Sequence, residues 1–280
     1  MKWNFTKMHG CGNDYIYFNC LQREIENPSE VAIRLSDRHF GIGGDGIVLI
    51  CPSETADAKM RMFNADGSEG KMCGNAIRCV GKYLFENGIV QKQTISIETL
   101  SGIKYLSLIC EDDAVKSVEV QMGRPIFDPK QIPVLLNENA IVHYPFTIAD
   151  RDFFITCVSM GNPHCVVFCD DVASMKLDVY GPLFEKHALF PEGINTEFVQ
   201  KIDDKNFLMR VWERGSGETW ACGTGACAAV AAAVKNRLCE KETAVNLKLL
   251  GGTLVIRYAQ ESIFMKGNAV SVFCGSVDLD

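Results

Sequence analysis

Met72-Cys73-Gly74-Asn75-Ala76-Ile77-Arg78-Cys79 has a near copy 149 positions further on, Ala221-Cys222-Gly223-Thr224-Gly225-Ala226-Cys227. The same offset carries Gly12-Asn13 to Gly161-Asn162, Gly44 to Gly193 and Glu69 to Glu218. One short repeat can be chance; several at a single spacing record a duplication. Residues 96–102 and 246–252 match in pattern at an offset one residue larger, as one insertion produces. The chain therefore reads as two lobes of one fold related by pseudo-twofold symmetry. The period is far longer than that of any solenoid repeat.

After Cys73, Ile77, Val80, Tyr83 and Leu84 recur at spacings of three and four, which predicts a helix stopped at Asn87-Gly88. After Cys222 an alanine-rich run from Ala226 to Val234 predicts a second helix, with Lys235 and Arg237 supplying positive charge at its end. Both cysteines then sit at helix N-termini. There the helix dipole and unpaired N–H groups favour an anion, which makes a thiol more acidic and can hold a carboxylate beside it. Glycine at the next position, Gly74 or Gly223, removes the Cβ that would keep a ligand from the backbone.

Bulk properties set boundaries. With 280 residues there is room for two domains, each with a buried core. A formal charge of -7 without any lysine-arginine run argues against nucleic acid. The first residues lack the apolar segment and cleavage site of a signal peptide, and Ala226 to Val234 is about half the length of a membrane span. A cytoplasmic protein without membrane or nucleic-acid partners is the expectation. Thirteen cysteines is an odd count in a chain that is not small, which disfavours a disulfide framework, and there is no Cys-x-x-Cys for zinc. Apart from Cys73 and Cys222, most of them (Cys20, Cys51, Cys110, Cys157, Cys274) read as small buried hydrophobes.

Gly41-Ile42-Gly43-Gly44-Asp45-Gly46 formally satisfies Gly-x-Gly-x-x-Gly. That fingerprint works between a strand and the helix it opens, whereas here a helix precedes and the strand Ile47–Ile50 follows, so it reads as a structural or substrate-site turn. The remaining pattern is of short strands and hairpins punctuated by glycine, with Met8 to Asp14 as a turn that places Asn13, and Lys59 to Phe63 as a strand delivering Asn64. Helices fall near Ser29–Arg38 and Met175–His187, and hairpins close about Ser101-Gly102 and Gly251-Gly252. The class is α+β. Gly123-Arg124-Pro125 marks the crossing, giving an N-terminal lobe of 1–123 and a C-terminal lobe of 124–268.

With Phe63-Asn64-Ala65-Asp66-Gly67-Ser68-Glu69, Met160-Gly161-Asn162-Pro163-His164 and Glu213-Arg214-Gly215 added, the paired cysteine boxes resemble the diaminopimelate epimerase family. The resemblance runs from Lys7-Met8-His9-Gly10 to about Gly252. It implies that each lobe is a mostly antiparallel curled sheet around a central helix, that residues 269–280 return to the first lobe, and that the active site lies in the cleft between lobes. It implies a homodimer and a cofactor-free, metal-free isomerase that interconverts LL- and meso-diaminopimelate for lysine and peptidoglycan precursors. Cys73 and Cys222 are then the two bases, while Gly74, Asn75, Gly223 and Thr224 hold the reacting carboxylate. Asn13, Asn64, Asn162, Asn195, Glu213 and Arg214 match positions that contact the substrate's ammonium groups and distant carboxylate. His164 matches a histidine near one thiol; read alone, it is as readily a satisfied structural residue. Arg38 and Arg78 read as solvated or structural. Two positions depart from the family pattern: Gly46 stands where many relatives have glutamine, and Ala76 where they have glycine.

The chemistry asks for such a pair. Inverting a carbon that bears hydrogen needs a base on one face and an acid on the other, and two thiols exchanging roles meet that need. The nearest rival is a proline or hydroxyproline racemase of the same fold, which tends to have histidine where Asn75 stands. A thiol redox protein would leave the asparagines and Arg214 unexplained, and a non-catalytic binding module would not need two activated thiols.

Overall fold

Duplication in the sequence returns as duplication of strand pairing. The computed structural model describes residues 1–149 and 151–279, and the chain divides into two compact units, Met1–Val120 with Lys266–Asp280, and Gln121–Met265.

In the first unit β1 (Lys2–Gly10) and β2 (Asn13–Asn19) are antiparallel. Their two-residue turn has positive φ at both Cys11 (53°) and Gly12 (80°), the hairpin geometry whose twist matches that of its strands. The turn is thus shorter than the sequence suggested: Met8, His9 and Gly10 continue β1, because pairing opposite Tyr15 lets Met8 be fully buried. α1 (Pro28–Ser36) crosses over so that β3 (Gly46–Cys51) lies parallel to β2. β4 (Ala58–Asn64) returns antiparallel to β3, and the short β5 (Glu69–Gly70) folds back on it. After α2 (Gly74–Glu86), β6 (Thr94–Thr99) pairs parallel with the start of β4, and β7 (Gly102–Glu111) and β8 (Ala114–Gly123) follow antiparallel.

The second unit repeats this order. β9 (Tyr144–Ile148), β10 (Arg151–Ser159) and β11 (Pro163–Phe168) are antiparallel, and α3 (Leu177–Glu185) crosses over to β12 (Asn195–Lys201), parallel to β11. β13 (Asn206–Glu213) and β14 (Gly217–Thr219) are antiparallel, α4 (Gly223–Lys235) follows, and β15 (Ala244–Leu249) pairs parallel with β13. β16 (Gly252–Ala259) and β17 (Ser262–Gly267) come next, and β18 (Val270–Asp278) then pairs with β1, from Lys2↔Asp278 to His9↔Val270. Each unit is a mixed, mainly antiparallel sheet.

The helices that follow Cys73 and Cys222 each pack on the strands of their own unit. α2 lies on β1, β2 and β7, and α4 on β10, β11, β12 and β16. α4 is buried around its circumference from Ala226 to Ala233, which only small side chains permit at such close approach to strands. Asn87 and Asn236 end the two helices alike, each donating its side-chain N–H to the carbonyl four residues back, at 2.9 and 2.8 Å. An ion pair is duplicated as well: Arg61–Glu69 and Arg210–Glu218, both with Nε to Oε1 at 2.7 Å, stand 149 positions apart.

Several sequence readings need correction. Cys20 and Cys157 are buried as expected, but Cys51 and Cys110 are only half-buried and Cys274, on β18, is exposed. Of the two readings of Arg78, solvated or structural, its complete burial on α2 leaves the structural one. β9 was not anticipated, since Pro145 interrupts its pattern, yet it pairs antiparallel with β10 from Ile148↔Arg151 to Tyr144↔Ile155. Among the described residues no helix is long and apolar enough to cross a membrane.

Candidate active site

Each unit brings part of its predicted set to the start of its central helix: Asn13 and Asn75 at Cys73, and Thr224, Glu213 and, through Thr224, Asn162 at Cys222, whereas Asn64, Asn195 and Arg214 make their contacts elsewhere. Cys73 is the N-cap of α2, with extended backbone (φ -133°, ψ 120°), and its sulfur accepts from Ala76 N–H at 3.5 Å. Cys222 is the N-cap of α4 (φ -112°, ψ 110°), and its sulfur accepts from Gly225 N–H at 3.3 Å. A thiol sulfur thus takes the place of the usual capping oxygen in both helices. The N–H groups of the next two residues, Gly74 and Asn75 in one unit and Gly223 and Thr224 in the other, lie outside the helix's own hydrogen-bond ladder and point where an anion would bind.

Around Cys73, the turn of the first hairpin supplies Asn13, whose Oδ1 accepts the thiol proton at 3.3 Å and an Asn75 amide N–H at 3.4 Å. Asn13 Nδ2 donates to Asp45 Oδ2 at 2.7 Å. Asn64, at the end of β4, donates to Ser68 Oγ at 3.0 Å within its own turn and is half-buried. Arg38, which is largely exposed, bridges Asp14 and Asp45 at 2.8 and 3.1 Å.

Around Cys222 the arrangement is more enclosed. Thr224 Oγ1 lies 3.5 Å from the sulfur and accepts from Asn162 Nδ2 at 3.3 Å. Asn162 Oδ1 meets His164 Nε2 at 3.0 Å, and His164 Nδ1 meets Glu197 Oε1 at 2.7 Å. His164 and Glu197 are fully buried, and Glu197 Oε2 has no hydrogen-bond partner among the described residues. Glu213 accepts the Thr219 hydroxyl. Arg214 is exposed, with one guanidinium N–H on Glu192 O at 2.8 Å. Asn195 is buried and spends its amide on Pro163 O and on the Arg214 backbone N–H, so it positions the Arg214 loop.

The expected acidification of both thiols fails at Cys222. Burial pushes this thiol well above its ordinary range, the carboxylates of Glu213 and Glu197 add to the effect, and the Thr224 and Gly225 hydrogen bonds only partly offset it. Desolvation outweighs the helix terminus, so Cys222 is held as a neutral thiol. Burial likewise raises the Glu213 carboxyl, against the opposing hydrogen bonds from Thr219 and Cys222.

Two residues of these half-sites escaped the sequence reading, Glu197 and Asp45. A carboxylate in the middle of the strand Thr196-Glu197-Phe198-Val199 was the available signal for the first. Asp45 lay inside the glycine-rich segment whose nucleotide reading had been set aside.

The fold defined by these paired units is shared with solved structures of low sequence identity. They include a phenazine biosynthesis protein of the PhzF family from Bacillus anthracis (TM-score 0.72, 17% identity, all of both chains) and a hydroxyproline epimerase from Agrobacterium vitis (TM-score 0.68, 14% identity, 99% of this chain and 91% of that one). Sequence is more specific. The family model for diaminopimelate epimerase matches residues 5–127 and 156–272. The diaminopimelate epimerase of Acetivibrio thermocellus is 55% identical over 99% of both chains, and that of Methanococcus maripaludis 52% identical over 98% of this chain and 99% of its own. The chain belongs to the diaminopimelate epimerase family.

Proposed function

We propose that this protein interconverts LL- and meso-2,6-diaminopimelate by a two-thiol proton transfer, supplying lysine and peptidoglycan precursors. Two cysteines capping equivalent helices, in a chain of this family, carry the proposal. One sulfur, as thiolate, takes the α-proton from one face; the other, as thiol, gives its proton to the opposite face. The electron pair left by the C–H bond is held as an enolate on the carboxylate and then forms the new C–H bond. The two sulfurs end with exchanged protonation, ready for the reverse substrate. Elevation of Cys222 suits it to start as the acid.

Helix N–H groups at Gly74, Asn75, Gly223 and Thr224 stabilise the developing enolate charge, which substitutes for the electron sink that a cofactor would provide. Arg214 can hold a distant carboxylate through the remaining N–H groups of its fork, with Glu213, Asn13, Asn64 and Asn162 reading the ammonium groups. His164 supports this set through Asn162. We further propose a cytoplasmic homodimer. A reducing compartment fits a chain rich in free thiols, and Val272 and Phe273 on β18 (55% and 48% exposed) offer an apolar surface to a second copy.

The test is α-hydrogen exchange in deuterium oxide with reduced protein, LL-diaminopimelate and, separately, L-proline, using the wild type and the Cys73→Ser and Cys222→Ser variants. Exchange with epimerisation of diaminopimelate alone, abolished as epimerisation in each variant, is the expected result. Reaction of proline instead would overturn the substrate, and full epimerase activity in either variant would overturn the mechanism. Sedimentation of the wild type reads the dimer.

A further inference from the structure

We propose that Asp45 is a positioning residue that fixes the Asn13 amide so that its carbonyl oxygen, and not its NH2, faces the Cys73 thiol. An isolated asparagine amide can turn either end to a neighbour, so what settles its direction is the chemistry at the ends of its hydrogen-bond chain. Here both ends are settled. Arg78 can only donate, and its Nη2 lies 3.0 Å from Asn75 Oδ1. That turns the Asn75 NH2 toward Asn13 Oδ1, at 3.4 Å. At the other end Asp45 Oδ2 receives Asn13 Nδ2 at 2.7 Å and the backbone N–H of Asp14 at 3.0 Å, while Oδ1 receives Arg38 at 3.1 Å. The Asp14 N–H and the Arg38 guanidinium cannot accept, so both oxygens of Asp45 act as acceptors. Every link runs one way, from Arg78 through Asn75 and Asn13 to Asp45.

Asn13 therefore offers Cys73 a lone pair. Its Oδ1, 3.3 Å from the sulfur, receives the S–H proton and favours the thiol at rest, a proton Cys73 must give up before it acts as the base opposite Cys222. The glycine-rich segment is what brings Asp45 there. Asp45 N–H bonds Asp14 O at 2.7 Å and Ala65 N–H bonds Asp45 O at 3.0 Å, tying the segment to the hairpin and to the turn after β4. Gly44 gives room for Lys7, whose Nζ would stand 2.6 Å from an added Cβ and which pairs with Asp14. The charged and titratable groups facing this corner include Lys7, His9, Cys11, Asp14, Arg38 and Asp45 on the hairpin and loop side and Tyr17, Arg78 and Cys79 on the helix side.

This rests on the reading of Cys73 as a reacting thiol, but it is tested without turnover. The rate of Cys73 alkylation by iodoacetamide at a fixed pH is read by mass spectrometry of its peptide, with the Cys222 peptide as internal reference, in wild type, Asp45→Ala and Asp45→Asn. Asp45→Ala frees the Asn13 amide; loss of one hydrogen bond of about 1 kcal/mol predicts an alkylation rate roughly five times higher. Asp45→Asn removes the charge but keeps an oxygen for the Asn13 and Asp14 donors, so its rate stays within about twofold of wild type. An equal rise in both variants would show that Asp45 acts only as a charge, and no rise in a folded Asp45→Ala protein would overturn the positioning role outright. Should Asp45→Ala fail to fold, a rise in Asp45→Asn alone is sufficient to reject it.

Discussion

Placing glutamine at position 46 should damage this protein. Gly46 has φ +155°, and a Cβ built on it stands 2.0 Å from the carbonyl oxygen of Phe63 and 2.8 Å from Tyr15 Cε1. Phe63 cannot simply retreat, because it is paired with Ile47 in the β3–β4 ladder. A side chain here must either accept a backbone region used almost solely by glycine, at about 1–3 kcal/mol, or displace the carbonyl and lose a buried hydrogen bond, at about 1–3 kcal/mol. Together these predict a loss of about 2–6 kcal/mol for Gly46→Gln. In a chain of this size that lowers Tm by roughly 5–20 °C. Gly88→Ala is the control: φ is +68° there, but nothing lies within 4 Å of the added Cβ. Only left-handed strain of about 1–2 kcal/mol should appear, a few degrees in Tm. Melting curves by circular dichroism, with residual epimerase activity measured below the transition, give the comparison. If Gly46→Gln melts within about 2 °C of wild type, or no lower than the control, the steric reasoning is wrong.

Other perturbations separate the remaining forces. Gly225→Ala would put a Cβ 2.6 Å from Glu197 Oε1 and 3.2 Å from Cys222 Sγ; overpacking of about 1–3 kcal/mol should exceed the helix gain of about 1 kcal/mol, and kcat should fall at least about tenfold as the buried carboxylate is displaced. A Gly225→Ala protein with normal kcat would contradict that crowding. For Glu213 burial lifts the folded carboxyl above the ordinary glutamate range, so its neutral form is the one the fold favours. No stability is lost below the unfolded pKa, and the deficit grows as pH rises through the folded one. Glu213→Gln should therefore melt higher than wild type near pH 8 and equally near pH 4; an identical difference at both would refute the shift. The duplicated pairs Arg61–Glu69 and Arg210–Glu218 are partly solvated. Removing either arginine should cost less than about 1 kcal/mol, and less again in high salt; a salt-independent loss would point to packing.

The duplication was legible because both halves keep the same punctuation, and the helix starts at Cys73 and Cys222 follow from it directly. Asn13 and Asn162 were found by the same offset. What could not be read was the burial that decides chemistry. Asp45 and Glu197 act through partners distant in sequence: the apolar run around Glu197 signals a carboxylate in a strand, but nothing local says that it meets a histidine. The thiol of Cys222 was misjudged for the same reason: a helix N-terminus is visible in the sequence, whereas desolvation depends on strands β12 and β13 closing over it. Arg78 read as solvated or structural, and its hydrogen bonds to Gly74, Asn75, Cys11 and Asn268 decide for the second.

The pairing of β18 with β1 has a consequence during synthesis. One edge of β1 can be satisfied by β2 almost as soon as both leave the ribosome, but the other must wait for a strand some 260 residues later. At about 5–20 residues per second that is about 13–50 s, long on the scale of nascent-chain folding. All the strands from β9 to β17 emerge first. The second unit can therefore be complete while the first still presents an open strand edge, the kind of template that invites pairing with another chain. Translation order thus reverses the usual expectation that the N-terminal domain finishes first, and it makes nascent chains stalled before Val270 the species in which aggregation should begin.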